Sequence, residues 1–334
     1  MRLLQALRLS PIPRLALVGA GGKTSALFRL ARELAAHPAI NHGPILVTTT
    51  THLSVEQLSF GDRSYLLREN EDVVQLEKAL AEIVSPEVIV LSGPQAEAGR
   101  VTGLSGPVLD SVYALAERHG LPLLVEADGS RRLPLKAPAA HEPVVPSWAD
   151  TVVVVAGLSG LGQPLSPDWV HHAELFGKLA ELAPGEAITP QALAQVLLAP
   201  EGGLKNIAPE ARRVALLNQA ATPERQALAG AVARAILPAY QAVVIADLAS
   251  AQAVIPGLAF PDKDEPGEAL AVYERTAGIL LAAGGSLRLG RPKQLLEWRG
   301  EPLVRHAARS ALEGGLDPMI VVSGAYEPEV RQAL

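Results

Sequence analysis

The chain has 334 residues, 49% of them apolar and 4% aromatic, with a net charge of −6 and no cysteine. Disulfides, thiolate metal sites and cysteine nucleophiles are excluded, and an acidic balance without a basic, aromatic-interleaved run argues against a nucleic-acid partner. The length predicts two domains, and the Ala, Leu and Val content suits helices on a buried parallel sheet. The first 13 residues lack a long apolar core, and no apolar run approaches the ~20 residues of a membrane span, which predicts a cytoplasmic protein with no membrane partner.

The first organising stretch is a short β-forming run, Leu15–Val18, that breaks into Gly19, Ala20, Gly21 and Gly22 and continues as Lys23, Thr24 and Ser25. Helical periodicity follows from Leu27 to Leu34, so the order is strand, tight loop, helix. Glycines let the backbone approach an anion, a helix start offers unpaired N–H groups, Lys23 can reach a β- or γ-phosphate, and Thr24 can ligate Mg²⁺. The spacing is Gly-x-x-Gly-Lys-Thr, two residues shorter than the usual P-loop because Leu17 stands where that pattern has its first glycine, and is similar to the loop of Mur-ligase-class ATP-using enzymes.

Strand-like runs recur at 45–48, 88–91, 123–126, 152–156, 214–217 and 243–246, separated in many cases by helix-period segments such as 73–84, 108–119, 170–182 and 226–237. This alternation predicts an α/β fold, a doubly wound and mainly parallel sheet whose ligands lie at the carboxyl ends of the strands. Thr48–Thr51 and His52 follow one strand, and threonines there either extend it or set hydroxyls at the active edge, with Thr51 and His52 as substrate contacts. Glu126, Asp128, Gly129 and Ser130 follow another. Acids there, opposite a phosphate loop, suit Mg²⁺ held by Thr24 and Asp128, with Lys23, Asp128 and Glu126 as the catalytic groups.

The proline-rich 131–143 segment predicts an ordered loop without regular structure, presenting Arg131, Lys136, His141 and Glu142 to substrate or phosphate. His171, His172 and Glu174 invite a metal reading. On a helix, however, adjacent histidines point about 100° apart, so only His171 and Glu174 share a face. Lys205, Arg212 and Arg213 form a basic group open to either a phosphorylated ligand or solvent. Asn218–Ala221 departs from the guanine-reading Asn-Lys-x-Asp pattern at Gln219 and Ala221, so GTP specificity does not follow.

A charged, proline-bounded stretch at 261–276 predicts a linker, with a short helix from Glu268 to Thr276 as an option, between a domain at 1–260 and a second at 277–334. There another strand feeds Ala283, Gly284, Gly285 and Ser286, with Arg288 and Lys293 spaced to hold a triphosphate. A helix to about Leu312 and a strand at 319–322 follow.

Residues 278–303 resemble the opening of MobA-like nucleotidyltransferases, especially the molybdenum cofactor cytidylyltransferases. The resemblance implies nucleotide binding by Leu281, Ala282, Ala283, Gly284, Gly285 and Ser286, triphosphate held by Arg288 and Lys293, CTP or GTP with Mg²⁺, and transfer of a nucleoside monophosphate to molybdopterin. That family's Mg²⁺-binding aspartate lies well downstream of this motif, and the chain ends at Leu334, so the expectation is a truncated module. Residues 14–250 resemble the YqeC family, accessory proteins of selenium-dependent molybdenum hydroxylases, through Gly19–Thr24, Thr48–His52, Glu126–Ser130, Lys136-Ala137-Pro138, His141-Glu142-Pro143, the Gly157–Gly162 glycines and Gly202–Lys205.

Together these imply an NTP-binding accessory protein, with ATP at the first loop, acting in maturation of a molybdopterin-type cofactor. The alternatives are a nucleotide-gated insertion factor for an apo molybdenum hydroxylase and a Mur-like ATP-dependent ligase.

Overall fold

Aliphatic runs too short for helices and buried on both faces become the strands of a parallel sheet, and this pattern organises most of the chain. A computed structural model describes residues 1–37, 43–96, 99–248, 269–286 and 289–334, in two units, Met1–Tyr273 and Glu274–Leu334. In chain order, the first half of unit 1 has α1 (Leu3–Ala6), β1 (Arg14–Gly19), α2 (Lys23–Ala35), β2 (Ile45–Thr49), β3 (His52–Ser54), α3 (Val55–Leu58), β4 (Arg63–Leu66), α4 (Asn70–Ala81), β5 (Val88–Ser92), β6 (Arg100–Thr102) and α5 (Gly106–His119). Its second half has β7 (Leu123–Glu126), β8 (Leu135–Lys136), β9 (Thr151–Gly157), β10 (Val170–His171), α6 (Ala173–Ala180), α7 (Pro190–Leu198), β11 (Arg212–Asn218), α8 (Pro223–Ile236), β12 (Ala242–Ala246) and β13 (Ala269–Glu274).

Nine strands form one sheet in the order β13-β12-β11-β9-β1-β7-β2-β5-β4, parallel throughout from β12 to β4. Alternate residues of β1 serve opposite faces. Leu15 and Leu17 pack with Leu27, Leu30 and Leu34 of α2 and with Leu3 and Leu7. Ala16 and Val18 pack toward Leu193, Val196, Val232 and Ile236 of α7 and α8, and that same face is continued by α4 and α5 over Leu46, Ile89 and Leu123. Chain order reverses across β1, so the loop after it opens at the switch point where doubly wound sheets bind ligands.

Three expectations change. The 170–182 segment is not one helix: Val170 and His171 pair with Leu135 and Lys136, and His172, at φ 60°, ψ 54°, turns the chain into α6. The 131–143 loop correspondingly contains β8. The described part of the 261–276 stretch holds no helix but β13 and Thr276, the first residue of the next strand, because Val272 and Tyr273 favour strand and Ala269 is buried at the sheet edge, and the boundary between the two units falls within it; 261–268 lie outside the described residues.

Unit 2 contains β14 (Thr276–Ala282), β15 (Glu297–Trp298), β16 (Glu301–Pro302), α9 (Leu303–Glu313), β17 (Leu316–Ser323) and α10 (Glu327–Ala333). β14 and β17 pair in parallel, with Ala282, Val304 and Val330 as the small core. The other face of this two-stranded sheet leaves Ile279 66% and Leu281 76% exposed.

The buried Glu33 carboxylate ties α1 to α2, accepting from the N–H groups of Leu3 (3.2 Å) and Leu4 (2.7 Å) and from Arg29 Nε (2.9 Å). Two backbone donors at a helix start are thereby satisfied. Glu33→Ala should lower stability by about 2–4 kcal/mol in urea unfolding; a loss below about 0.5 kcal/mol would remove this carboxylate as the anchor.

Candidate functional site

The residues that follow β1, β7 and β9 meet at one edge of the sheet. Gly19, Gly21 and Gly22 all have positive φ, at 94°, 85° and 122°. A Cβ on Gly21 would lie 2.3 Å from the nitrogen of Gly157, and one on Gly19 would lie 2.2 Å from the oxygen of Val155, so the loop is pressed against the end of β9. The loop's own donors lock it there: Ala20 N–H donates to Val155 O (2.9 Å) and Gly21 N–H to Leu133 O (3.1 Å). Asn218, at the end of β11, donates to Gly21 O (2.7 Å) and accepts from Leu248 N–H (2.9 Å). Asn218 thus positions the glycine loop, a role that its resemblance to a guanine-reading asparagine concealed.

Lys23 opens α2 and turns its side chain back under the loop. Its ammonium donates to Gly19 O (2.7 Å) and lies 3.1 Å from Asp128 Oδ1 and 3.6 Å from Glu126 Oε1. Asp128 Oδ2 accepts from Gly19 N–H (3.0 Å) and lies 3.0 Å from the Lys136 ammonium, which also reaches Glu142 Oε2 (2.8 Å) and donates to Gly129 O. The result is a buried chain of alternating charge, Glu126–Lys23–Asp128–Lys136–Glu142, in which both lysine side chains are 1% exposed. With every group ionised, three carboxylates face two ammoniums, leaving one negative charge in excess.

Environment divides these groups. Burial lowers the Lys23 pKa, but Asp128 and Glu126 outweigh it and hold the ammonium above its ordinary value. Burial raises Glu126, and Lys23 and Thr24 only partly offset it, so this carboxyl stays above the usual range. Burial also raises Glu142, yet the hydrogen bond and charge of Lys136 win and hold it below the usual range. The space beneath the loop, bounded by Gly19, Asp128, Lys136 and Leu197, is a small cavity of about 30 Å³. On the outer rim of the loop Thr24 Oγ1 donates to Glu126 Oε2 (2.8 Å), and the first-turn N–H groups of Lys23, Thr24 and Ser25 have no intrahelical partner.

A family model described as YqeC protein matches residues 15–174, and one described as MobA-like NTP transferase domain matches residues 278–334. The Uncharacterized protein YqeC of Escherichia coli is 34% identical over 205 residues, which is 61% of this chain and 75% of that protein. The chain belongs to the YqeC family. Its C-terminal part is similar to Nicotine blue oxidoreductase of Paenarthrobacter nicotinovorans, 53% identical over 49 residues, and to the Bifunctional enzyme IspD/IspF of Erythrobacter litoralis, 47% identical over 47 residues. Each of these stretches is 14% of this chain, and they span only 24% and 12% of those two relatives.

Within this YqeC fold the remaining expected residues fall into place unevenly. Thr48 and Thr49 are buried strand residues whose hydroxyls donate to Leu91 O and Glu126 O, both at 2.8 Å. Thr51 contacts Thr49 Oγ1, and His52 starts β3, exposed and paired with Thr102. The hydroxyl of Thr50 is buried with no hydrogen-bond partner among the described residues, although its own N–H is fixed on Glu126 O (3.0 Å).

Arg131, at φ 51°, and His141 are exposed on the loop. Lys205 and Asn206 brace that loop, donating to Ala139 O and Pro143 O (both 2.9 Å). Asp128, expected to share Mg²⁺ with Thr24, lies between two lysines: its Oδ2 accepts from Gly19 N–H, its buried Oδ1, 3.1 Å from Lys23, has no hydrogen-bond partner among the described residues, and Glu126 stands beside the Thr24 hydroxyl.

The histidine pair also departs from expectation. Because His171 ends β10 and His172 adopts the left-handed region at a cost of about 1–3 kcal/mol, the rings stack with centroids 3.9 Å apart instead of diverging. They meet Glu142, not Glu174. Burial, then His172 and Lys136, push the His171 pKa down to about 4.

In unit 2, Leu281 and Ala282 belong to β14, and the loop starts at Ala283. Cβ atoms on Gly284 or Gly285 would meet open space, unlike those in the first loop. Ser286 Oγ accepts from Lys293 N–H (3.1 Å), and Gln294 donates to Gly284 O (3.3 Å), closing the loop on itself. Arg288 lies outside the described residues.

The raised Glu126 pKa has a definite sign in stability. The fold favours the protonated form, so its contribution is full below the unfolded value near 4.5 and is lost as pH rises through the folded value. In Mg²⁺-free thermal melts, Glu126→Gln should therefore gain melting temperature relative to wild type as pH is raised from about 4.5 to 8. A difference that stays flat or shrinks would contradict the raised value.

Proposed function

We propose that unit 1 binds Mg²⁺–ATP on the rim of the Gly19–Thr24 loop and hydrolyses it while serving maturation of a molybdopterin-type cofactor for selenium-dependent molybdenum hydroxylases. What carries this reading is the Lys23 ammonium at the first turn of α2, buried and held by Glu126 and Asp128. An ammonium already desolvated and aimed by carboxylates is prepared to exchange one of them for a phosphate oxygen, with the first-turn N–H groups adding to the cradle.

The donor set fits magnesium. The Thr24 hydroxyl and Glu126 carboxylate are adjacent oxygen ligands, and the Thr50 hydroxyl is buried without a partner. In this reading Thr24 and Glu126 hold the ion, which neutralises charge on the triphosphate, while Asp128 keeps Lys23 and Lys136 in place. The 131–142 loop, with Thr51 and His52, borders the face where a second substrate would arrive.

Support for the pathway comes from unit 2 and its likeness to a MobA-like NTP transferase domain. There Ala283–Ser286, Arg288 and Lys293 would hold CTP or GTP. A molybdopterin phosphate oxygen would then attack the α-phosphorus, releasing pyrophosphate and leaving the nucleoside monophosphate on the cofactor. The Mur-like spacing of the first loop favours one further reading, an ATP-dependent ligase that activates a carboxylate as an acyl phosphate.

Lys23→Ala should weaken Mg²⁺–ATP binding to the full chain about 100-fold by calorimetry, and Thr24→Ala should reduce the Mg²⁺ dependence of ATP turnover while leaving the fold intact by circular dichroism. Unchanged affinity in Lys23→Ala would end the nucleotide reading. ATP turnover stimulated only by an apo molybdenum hydroxylase favours the accessory role, whereas ADP release driven by a small carboxylic acid favours the ligase.

A further inference from the structure

We propose that Glu142, His171 and His172 form a second, separate cation site, a three-ligand centre for a divalent transition metal of the Zn²⁺ or Co²⁺ type. Each offers one ligand atom, and these atoms lie within 4.8 Å of one another. Two imidazoles and one carboxylate with no thiolate are the donor set of open, three-ligand divalent sites, which leave a position for water or an anionic substrate.

Three features of the local bonding leave the donors ready. His172 Nδ1 lies 3.8 Å from Glu142 Oε2 and donates its N–H to Ala137 O (3.0 Å), which fixes the tautomer and leaves Nε2 as the nitrogen with a lone pair for a metal. Glu142 gathers its fixed partners on Oε2, from Lys136 Nζ (2.8 Å) and Ala139 N–H (3.3 Å), so that Oε1 has no hydrogen bond among the described residues. His171, half-buried, has no side-chain hydrogen bond among the described residues, and its ring stacks on that of His172.

The cluster is held from two elements. His171 is paired in register with Lys136, and the left-handed backbone at His172 swings its ring onto the same side. Lys136 does not neutralise the site alone, because Asp128 Oδ2, 3.0 Å away, shares its charge. A small closure of the carboxylate and imidazole torsions would bring the donors to the separations that metal bonds of about 2.1 Å require.

This inference is independent of nucleotide binding, and its test uses Co²⁺ alone on the full chain. Wild type should bind one equivalent with a visible d–d spectrum, and His171→Ala and His172→Ala should each weaken binding by ~100-fold or more, beyond the usual cost of losing an outer hydrogen bond. Glu174→Gln and Thr24→Ala should bind as wild type. Should the histidine variants unfold, wild type supplies the second measurement: Zn²⁺ should protect His171 and His172, but not His52 or His141, from carbethoxylation read by mass spectrometry. The proposal is overturned by wild-type binding no tighter than millimolar, by wild-type affinity in both histidine variants, by loss of binding in Thr24→Ala instead, or by unprotected histidines.

Discussion

The alternating ion chain Glu126–Lys23–Asp128–Lys136–Glu142 is the constraint on which the rest of the candidate site depends. A buried ion pair adds little net stability over a well-packed apolar pair, but losing one member leaves an uncompensated charge at a cost of several kcal/mol. Such a chain therefore makes each member intolerant of change and fixes the geometry of everything it touches. Through Gly19 N–H and O it sets the glycine loop, through Gly129 O the turn after β7, and through Glu142 the proline-rich loop. The glycine loop and the 126–142 stretch, far apart in sequence, are held by a single line of charge.

The sheet explains why that line can exist. β1 sits between β7 and β9, and parallel register brings the ends of all three to one edge, Leu17 beside both Glu126 and Val153. Strand-end residues escape the apolar faces but remain under the loops, where ionised groups can be desolvated only if they meet an opposite charge. The glycines then serve a packing role before any ligand role. Without side chains, Gly19 and Gly21 approach β9 closely enough for Ala20 N–H to bond Val155 O.

Much of this was legible in the sequence. The central strands carry uninterrupted aliphatic runs with glycine or acids at their carboxyl ends, which is the signature of a buried parallel sheet and its active edge. The Lys23, Glu126 and Asp128 trio followed from that logic. What stayed hidden were relations that spacing does not encode. Asn218 reaches Gly21 across 197 residues. Lys136 was visible as a polar residue on a loop, but not as the link between Asp128 and Glu142. The two-residue pairing of β8 with β10 is too short to leave a periodic trace, so Val170 and His171 read as helix. Helical geometry then misdirected the histidines, because 100° per residue separates neighbours that a left-handed turn at His172 brings into a stack.

The same chain also sets how the two ends of the site communicate. Lys23 is shared by Glu126 and Asp128, and Asp128 is shared by Lys23 and Lys136, so a phosphate that draws Lys23 away leaves Asp128 with more of Lys136. Lys136 in turn has less charge to spend on Glu142, the carboxylate that faces the histidine pair. The two lysines and Asp128 at the centre of the line are buried, so these charges are screened less than surface ones. If both proposed sites fill, anion binding at the glycine loop and cation binding at Glu142 would favour one another, although neither requires the other. The first releases negative charge along the line, and the second takes it up.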